Sequence, residues 1–98
     1  MTAQVIIRRE AQADLTEAFR WYQQESPGLG FEFRRAVDAC LAAVQRNPKA
    51  YPAVHGRIRR AMLRKFPYGV FYLETNAGIS VLACLHAKRD PGLWRSRA

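Results

Sequence analysis

The sequence contains no apolar run that approaches the roughly 18 residues needed to span a membrane. Its first residues, Met1 to Arg8, also lack the basic segment, apolar stretch and small-residue cleavage site of a signal peptide. A composition of 49% hydrophobic and 24% charged residues is ordinary for a globular protein and argues against disorder. We therefore expect a cytoplasmic protein with no membrane partner, folded as one domain over residues 1–98.

Cysteine is scarce, and the spacing of the two cysteines does not fit a metal site. Cys40 and Cys84 are the only two, and they lie far apart in apolar settings, so we expect two reduced core thiols. His55 and His86 show no metal-ligand spacing with them or with each other. The six glycines are scattered and form no phosphate-binding loop. The sequence thus predicts neither a metal site nor a cofactor.

Acidic residues are nearly missing from the second half of the chain. Residues 46–98 contain eleven Lys or Arg against two acids, Glu74 and Asp90, which gives a net charge of +9. Residues 1–45 contain five Arg against six acids, a net charge of −1. A half this basic attracts nucleic acid or an acidic protein segment, although a charge run by itself usually marks only a solvated face.

A short strand at residues 4–8 and two amphipathic helices are predicted in the first half. From Glu10, apolar residues recur at helical spacing until Ser26-Pro27-Gly28 breaks the pattern. The second helix covers about Gly30–Arg46 and stops at Asn47-Pro48, because a residue before proline is pushed out of the α conformation. So short a connection predicts an antiparallel hairpin. The two apolar stripes are Ala11, Leu15, Ala18 and Tyr22 with Phe19 beside them, then Phe33, Val37, Cys40 or Leu41, and Val44.

Three further strands are predicted after a loop at residues 49–57. They cover about Ile58–Arg64, Val70–Glu74 and Ile79–His86, and Thr75-Asn76-Ala77-Gly78 forms the turn between the last two. The predicted order is β-α-α-β-β-β. It corresponds to an α+β fold in which a helical hairpin packs on a mainly antiparallel sheet.

The last strand is apolar on both faces and is therefore expected to be central. Strict alternation predicts one face of Ile79, Val81, Ala83 and Leu85, and another of Leu82 and Cys84. Both helical stripes need the same apolar surface of the sheet, so we expect one common core. Its predicted members are Leu15, Phe33, Val37, Leu41, Val44, Val81, Ala83 and Leu85.

Short motifs also stand in a fixed order over roughly residues 5–97. They are Ala13-Asp14-Leu15 with Trp21-Tyr22, Phe33, Asn47-Pro48 with Tyr51-Pro52, Arg59-Arg60 with Leu63, Phe66-Pro67-Tyr68, and His86 with Arg89-Asp90-Pro91, Trp94 and Arg97. Each motif is weak alone, but in this order and spacing they resemble the RelE/ParE superfamily of toxins from type II toxin–antitoxin systems. The resemblance implies a toxin that an antitoxin holds inactive in a hetero-oligomer, and that blocks translation or DNA topology when released.

The antitoxin expected from this resemblance is acidic and folds as it binds. A helical hairpin beside a half with a net charge of +9 suits a partner segment that lays apolar anchors down and places acids against the arginines. The target is less defined, because RelE-like toxins cut messenger RNA in the ribosome whereas ParE-like toxins disable DNA gyrase. Fold alone does not separate the two branches.

The candidate target-binding residues are mainly cations from the basic second half of the chain. Arg60 and Arg64 are predicted to share one strand face by the period-2 rule, and Lys88 and Arg89 follow the last strand and are expected to converge with them. Trp94 is added as a contact. The alternative for this group is a solvated face or a face that pairs with the antitoxin.

Catalytic residues are harder to identify than cations. Metal-free cleavage of RNA needs a base, an acid and positive charge around the phosphorane. RelE-like nucleases carry a tyrosine near the C-terminus where this chain has Trp94, whose indole is a donor only. His86 is the candidate acid or base if the protein is a nuclease, since histidine titrates near neutral pH; the alternative is a strand-end histidine bonded to backbone or to Asp90.

The sequence therefore favours an inhibitor that works by binding. We rank a ParE-like inhibitor of DNA gyrase first and a RelE-like, ribosome-dependent mRNA endoribonuclease second. A non-toxic basic module that binds nucleic acid is a third alternative, and it explains the charge but not the ordered motifs.

Overall fold

The computed structural model describes residues 4–98, and within this range it contains five strands and three helices. The elements in order are β1 (Val5–Ile7), α1 (Arg9–Glu25), α2 (Leu29–Arg46), β2 (Ala53–His55), β3 (Ile58–Met62), β4 (Tyr68–Thr75), β5 (Gly78–His86) and α3 (Pro91–Arg95). The predicted α+β class is confirmed, with a helical hairpin on a mainly antiparallel sheet. In the part of the chain described, no helix is long and apolar enough to cross a membrane.

The short connection between α1 and α2 is stabilised by a left-handed glycine and by the side chain of one glutamine. Gly28, with a φ of +94°, precedes α2 in a left-handed conformation that glycine tolerates best. The Gln23 side-chain oxygen accepts hydrogen bonds from the N–H groups of Gly28 and Gly30, at 3.2 and 3.0 Å. A Cβ on Gly30 would lie 2.8 Å from the Phe19 carbonyl oxygen, so the two helices meet at a glycine.

The sheet has the strand order β1-β5-β4-β3-β2, which places β5 in its interior. β1 pairs with β5 in parallel, and the other neighbours pair antiparallel. The turn predicted at residues 75–78 connects β4 to β5, and Gly78 takes a φ of +130° there. The hairpin packs on one face of this sheet and α3 on the other, since their buried residues belong to separate clusters.

A β-bulge in β5 makes the prediction of strict alternation wrong. Tyr72 pairs with Val81 and Phe71 with Ala83, so Leu82 is an extra residue that shifts the period by one. As a result Val81 packs with the hairpin, whereas Ala83 packs on the α3 side together with Leu82.

The structure accordingly has two cores instead of the single core that was expected. Phe33, Val37, Val44 and Val81 are buried in the hairpin-side core, with Leu15 and Leu41 partly buried at its border. Ala83 and Leu85 lie in the α3-side core, so their predicted placement is wrong. The buried residues of that second core are Ile58, Phe71, Leu82, Ala83, Leu85 and Trp94.

Candidate functional site

A groove of about 990 Å³ lies beside α2. One side of α2 presents small residues to it at helical spacing: Ala36, Ala39, Cys40 and Ala43. Larger apolar side chains complete the lining, namely Tyr22, Leu29, Tyr51, Met62 and Phe66. Small residues let a partner backbone approach closely, so the shape suits an extended or helical segment of another chain.

Positive charge borders this groove, which we call the cationic groove. Arg35 and Arg46 line it from α2, and Arg64 and Lys65 line it from the loop between β3 and β4. All four are exposed, and Glu32 is the acid among the lining residues. Lys65 adopts a φ of +69°, a conformation that turns the loop sharply just before Phe66. Four cations against one carboxylate favour an acidic partner.

Arg60 and Arg64 do not share a strand face as predicted. β3 ends at Met62, so Arg64 lies beyond the strand and the period-2 rule does not reach it. Arg60 is paired with Phe71, a residue of the α3-side core, and cross-strand partners share a face. The stem of Arg60 lies over Gly69, where a Cβ would come within 3.1 Å of it. The Arg60 Nε is buried and has no hydrogen-bond partner within residues 4–98.

Trp94 is buried, and this contradicts its prediction as a surface contact. It is 6% exposed and stacks on Phe71 with ring centroids 4.5 Å apart and an interplanar angle of 18°. The reason is the short helix α3, which sequence analysis missed. Asp90 caps α3 by accepting a hydrogen bond from the Gly92 N–H at 2.9 Å, and Pro91 occupies its first turn. An Asp-Pro pair before an aromatic residue is the signal that would have predicted it.

Lys88 and Arg89 are exposed in the turn that follows β5. Arg89 lines a second cleft of about 420 Å³, together with His86 and Tyr68. Two carboxylates on α1, Asp14 and Glu17, also line this cleft. The predicted cations are therefore distributed over different surfaces, with Arg64 at the cationic groove and Arg89 at the second cleft.

His86 is held by the backbone beyond its strand. Its Nδ1 accepts a hydrogen bond from the Lys88 N–H at 3.1 Å. Its ring lies 5.4 Å from the Tyr68 ring. Burial raises the pKa of Tyr68, and burial raises the pKa of Tyr72 to about 12, so both phenols are neutral at pH 7. Neither tyrosine is suited to act as a base.

An ion pair between Asp14 and Arg97 connects α1 to the C-terminal residues across the edge of β5. The Arg97 Nη1 lies 2.6 Å from the Asp14 Oδ2, and both side chains are largely buried. Arg97 also donates to the Leu82 carbonyl, and Asp14 accepts from the Cys84 N–H at 3.0 Å. The pairing of β1 with β5 ends at Val81. The ion pair therefore satisfies the backbone groups of β5 where no strand continues.

Both cysteines are free, as expected from the sequence. Burial raises the pKa of Cys40 to about 11 and that of Cys84 to about 12, so neither is a reactive thiolate near pH 7. Among the described residues there is no group of three or more His, Cys, Asp and Glu side chains that could hold a metal ion.

Known proteins resemble this chain over most of its length. Residues 5–91 match the sequence profile of the family described as "ParE toxin of type II toxin-antitoxin system, parDE". The chain is 29% identical to "Toxin ParE2" of Mycobacterium tuberculosis, in strains CDC 1551 / Oshkosh and H37Rv, over 92 residues that cover 93% of this chain and 88% of the relative. Its fold is similar to a solved structure described as "Chromosomal ParDE TA system from P. aeruginosa", with a TM-score of 0.77 and 16% identity, covering 87% of this chain and 96% of the other.

Proposed function

The chain belongs to the ParE toxin family of type II toxin–antitoxin systems, and on this premise we propose that it inhibits DNA gyrase until an acidic antitoxin binds it. It is the toxin of such a system. The observation that carries the proposal is the match of residues 5–91 to the ParE family, since ParE-like toxins are the gyrase-directed branch of the superfamily.

The cationic groove is the proposed site of the antitoxin. Its lining of Ala36, Ala39 and Ala43 supports the close approach of a helical segment, and its four cations support carboxylates on that segment. An antitoxin segment that is disordered when free would order as it binds, at the cost of some of the interaction energy. Binding to the folded toxin alone would also stabilise it, by about 4 kcal/mol at a thousandfold excess over Kd.

The proposed role of the cationic groove is tested by a substitution that fills it. Ala39 is exposed and lines the groove, so Ala39→Glu adds both bulk and a repelling charge against an acidic segment. We expect antitoxin affinity to fall by at least about tenfold, measured by calorimetry. Ala13→Glu is the matched control, because Ala13 is exposed on α1 away from the groove. Equal affinities for the two variants would exclude the groove as the antitoxin site.

The proposed contacts with the target are the exposed cations Arg64, Lys88 and Arg89. Arg60 stays in the proposal as a partly buried cation on the α3 side of the sheet. Trp94 is left out because it is buried. Contacts of this kind act by charge and shape complementarity, so single truncations to Ala are expected to weaken inhibition by degrees, by about 1–3 kcal/mol where they matter.

A second candidate function is RelE-like cleavage of messenger RNA. One observation favours it: the second cleft brings together the imidazole of His86, the phenol of Tyr68 and the guanidinium of Arg89. An imidazole and a cation are two of the groups that cleavage needs, but the raised pKa of Tyr68 makes its phenol a poor base. Asp14 is paired with Arg97, so Glu17 is the other carboxylate in the cleft.

Expression of the chain without its antitoxin separates the two functions in cells. Gyrase inhibition is expected to induce the DNA damage response while protein synthesis continues at first. Cleavage of ribosome-bound messenger RNA would instead stop protein synthesis without DNA damage. Immediate translation arrest with no DNA damage signal would overturn the gyrase proposal and leave the family assignment intact.

A further inference from the structure

A second apolar surface lies on the side of α2 opposite the cationic groove. It surrounds a crevice of about 180 Å³ between α1 and α2, and we call it the Phe31 surface after its most prominent residue. Phe31 is 54% exposed, and Ile7 beside it is 37% exposed. Leu15, Phe19 and Leu41 extend the apolar lining. Single exposed apolar side chains are common on protein surfaces, but a contiguous apolar patch such as this one is typical of an interaction site.

The charges on this surface are balanced. Arg34 and Asp38 stand one helical turn apart on the same side of α2 as Phe31, and both are exposed. Neither of them forms an ion pair within residues 4–98. A cation and an anion on one small apolar surface are complementary to a second copy related by a two-fold axis, since the arginine of each copy then meets the aspartate of the other.

The charge distribution of the whole chain also favours a second copy as the occupant. The surface belongs to residues 1–45, which carry a net charge of −1, whereas residues 46–98 carry +9. Two copies repel each other through their basic halves but not through their hairpins. An acidic partner is attracted to the basic half of the chain, whereas the nearly neutral Phe31 surface offers it no net electrostatic attraction.

We propose that two copies of this chain associate through the Phe31 surface about a two-fold axis. In this arrangement Arg34 of each copy pairs with Asp38 of the other, and the Phe31 rings are buried at the centre of the interface. The cationic groove of each copy stays open, because it lies on the opposite side of α2. The inference does not depend on the target of the toxin.

The mass of the full-length chain in solution, measured by light scattering over a range of concentrations, tests the proposal. The wild type is expected to reach twice its 11.2 kDa as concentration rises. Phe31→Ser is expected to raise the dimer dissociation constant by at least about tenfold. Trp21→Ser is the matched control, because Trp21 is equally exposed at 54% but lies outside the Phe31 surface; it should leave the constant unchanged.

Charge reversal tests the two-fold pairing without removing apolar area. Arg34→Asp and Asp38→Arg each place like charges opposite one another and should weaken the dimer, whereas the double reversal should restore it. Arg20→Asp, an equal change on α1, should have no such effect. A wild type that stays monomeric throughout, a Phe31→Ser variant that associates normally, or a double reversal as weak as the single ones would each overturn the proposal.

Discussion

At the scale of single residues, the Asp14–Arg97 pair shows how side chains take the place of a strand. β1 covers only part of the β5 edge, and beyond it the Cys84 N–H and the Leu82 carbonyl bond to Asp14 and Arg97. Arg8 extends the network, since it donates to the Ser80 hydroxyl and to the Arg97 carbonyl at 2.8 Å each. Asp14, in the motif Ala13-Asp14-Leu15, and the motif residue Arg97 therefore have a structural role in this fold.

Arg97→Ala is expected to destabilise the fold. It leaves the Asp14 carboxylate, whose side chain is 10% exposed, without its charge partner. We expect a loss of about 3–5 kcal/mol in the free energy of unfolding, measured by urea denaturation. Lys49→Ala provides the comparison, because Lys49 is 75% exposed in its pair with Glu74 and should cost no more than about 1 kcal/mol. Equal effects of the two variants would mean that the Asp14–Arg97 pair is not structural.

The two thiols give a prediction about pH. Burial raises the pKa of Cys40 to about 11 from a usual 9.0 and that of Cys84 to about 12, so the folded protein keeps both protonated. A group whose pKa is raised by folding stabilises the fold below its unfolded pKa, and this contribution is lost as pH rises toward the folded value. We expect the free energy of unfolding to decline above pH 9, and less steeply in Cys84→Ala. An identical decline in Cys84→Ala would show that the raised pKa of Cys84 does not contribute to the loss of stability.

Alkylation by iodoacetamide provides an independent check of these pKa values. At pH 8 the folded Cys40 should react on the order of 100-fold more slowly than it does in the denatured chain, because only the thiolate attacks. Cys84, which is 1% exposed, should react more slowly still. Rapid labelling of Cys84 in the folded protein would show that it is more accessible than the structure has it.

At the scale of elements, periodicity was enough to predict the long helices and strands. The stripes around Phe33 and Val37 and the turn at Gly78 predicted α2 and the β4–β5 hairpin, because each pattern ran for several residues. β2 and α3 have three and five residues, too few to establish a period. The bulge at Leu82 also left no compositional signal, because every residue around it is apolar and buried.

The missed α3 has a stability prediction of its own. Trp94→Ala removes the ring that stacks on Phe71 and should cost about 3–5 kcal/mol in the free energy of unfolding. Trp94→Phe keeps an aromatic ring in the same core and should cost clearly less. If Trp94→Ala were as stable as the wild type yet lost toxicity, Trp94 would act as a contact after all, and the structural role assigned to it would be wrong.

The candidate site could be predicted only in part. Composition alone was enough to expect basic residues around a partner-binding surface, because the charge is so unevenly divided along the chain. The surface on which each cation lies depends on where β3 ends and on how the loop turns at Lys65. The spacing of apolar residues in the sequence predicts neither of these features. The cationic groove joins residues of α2 to a distant loop, so it is a property of the tertiary fold.

At the scale of the whole molecule, the distribution of charge organises the proposed interactions. Apart from Arg35, the cations proposed to meet the antitoxin and the target belong to the basic half, while the Phe31 surface belongs to residues 1–45, which are nearly neutral. Since an acidic partner gains from long-range attraction, antitoxin association is expected to slow as ionic strength rises. Association of two copies through their hairpins should depend far less on salt.

The central claim is that this ParE family toxin acts on gyrase by binding. It is tested most directly with the purified chain in two parallel assays, DNA supercoiling by gyrase and cleavage of ribosome-bound messenger RNA. His86→Gln is included because it keeps size and hydrogen bonding while it removes the candidate proton-transfer group. We predict that the wild type and His86→Gln both inhibit supercoiling and that neither cuts messenger RNA. Untouched supercoiling, with cleavage by the wild type that His86→Gln abolishes, would contradict the account and assign a RelE-like activity.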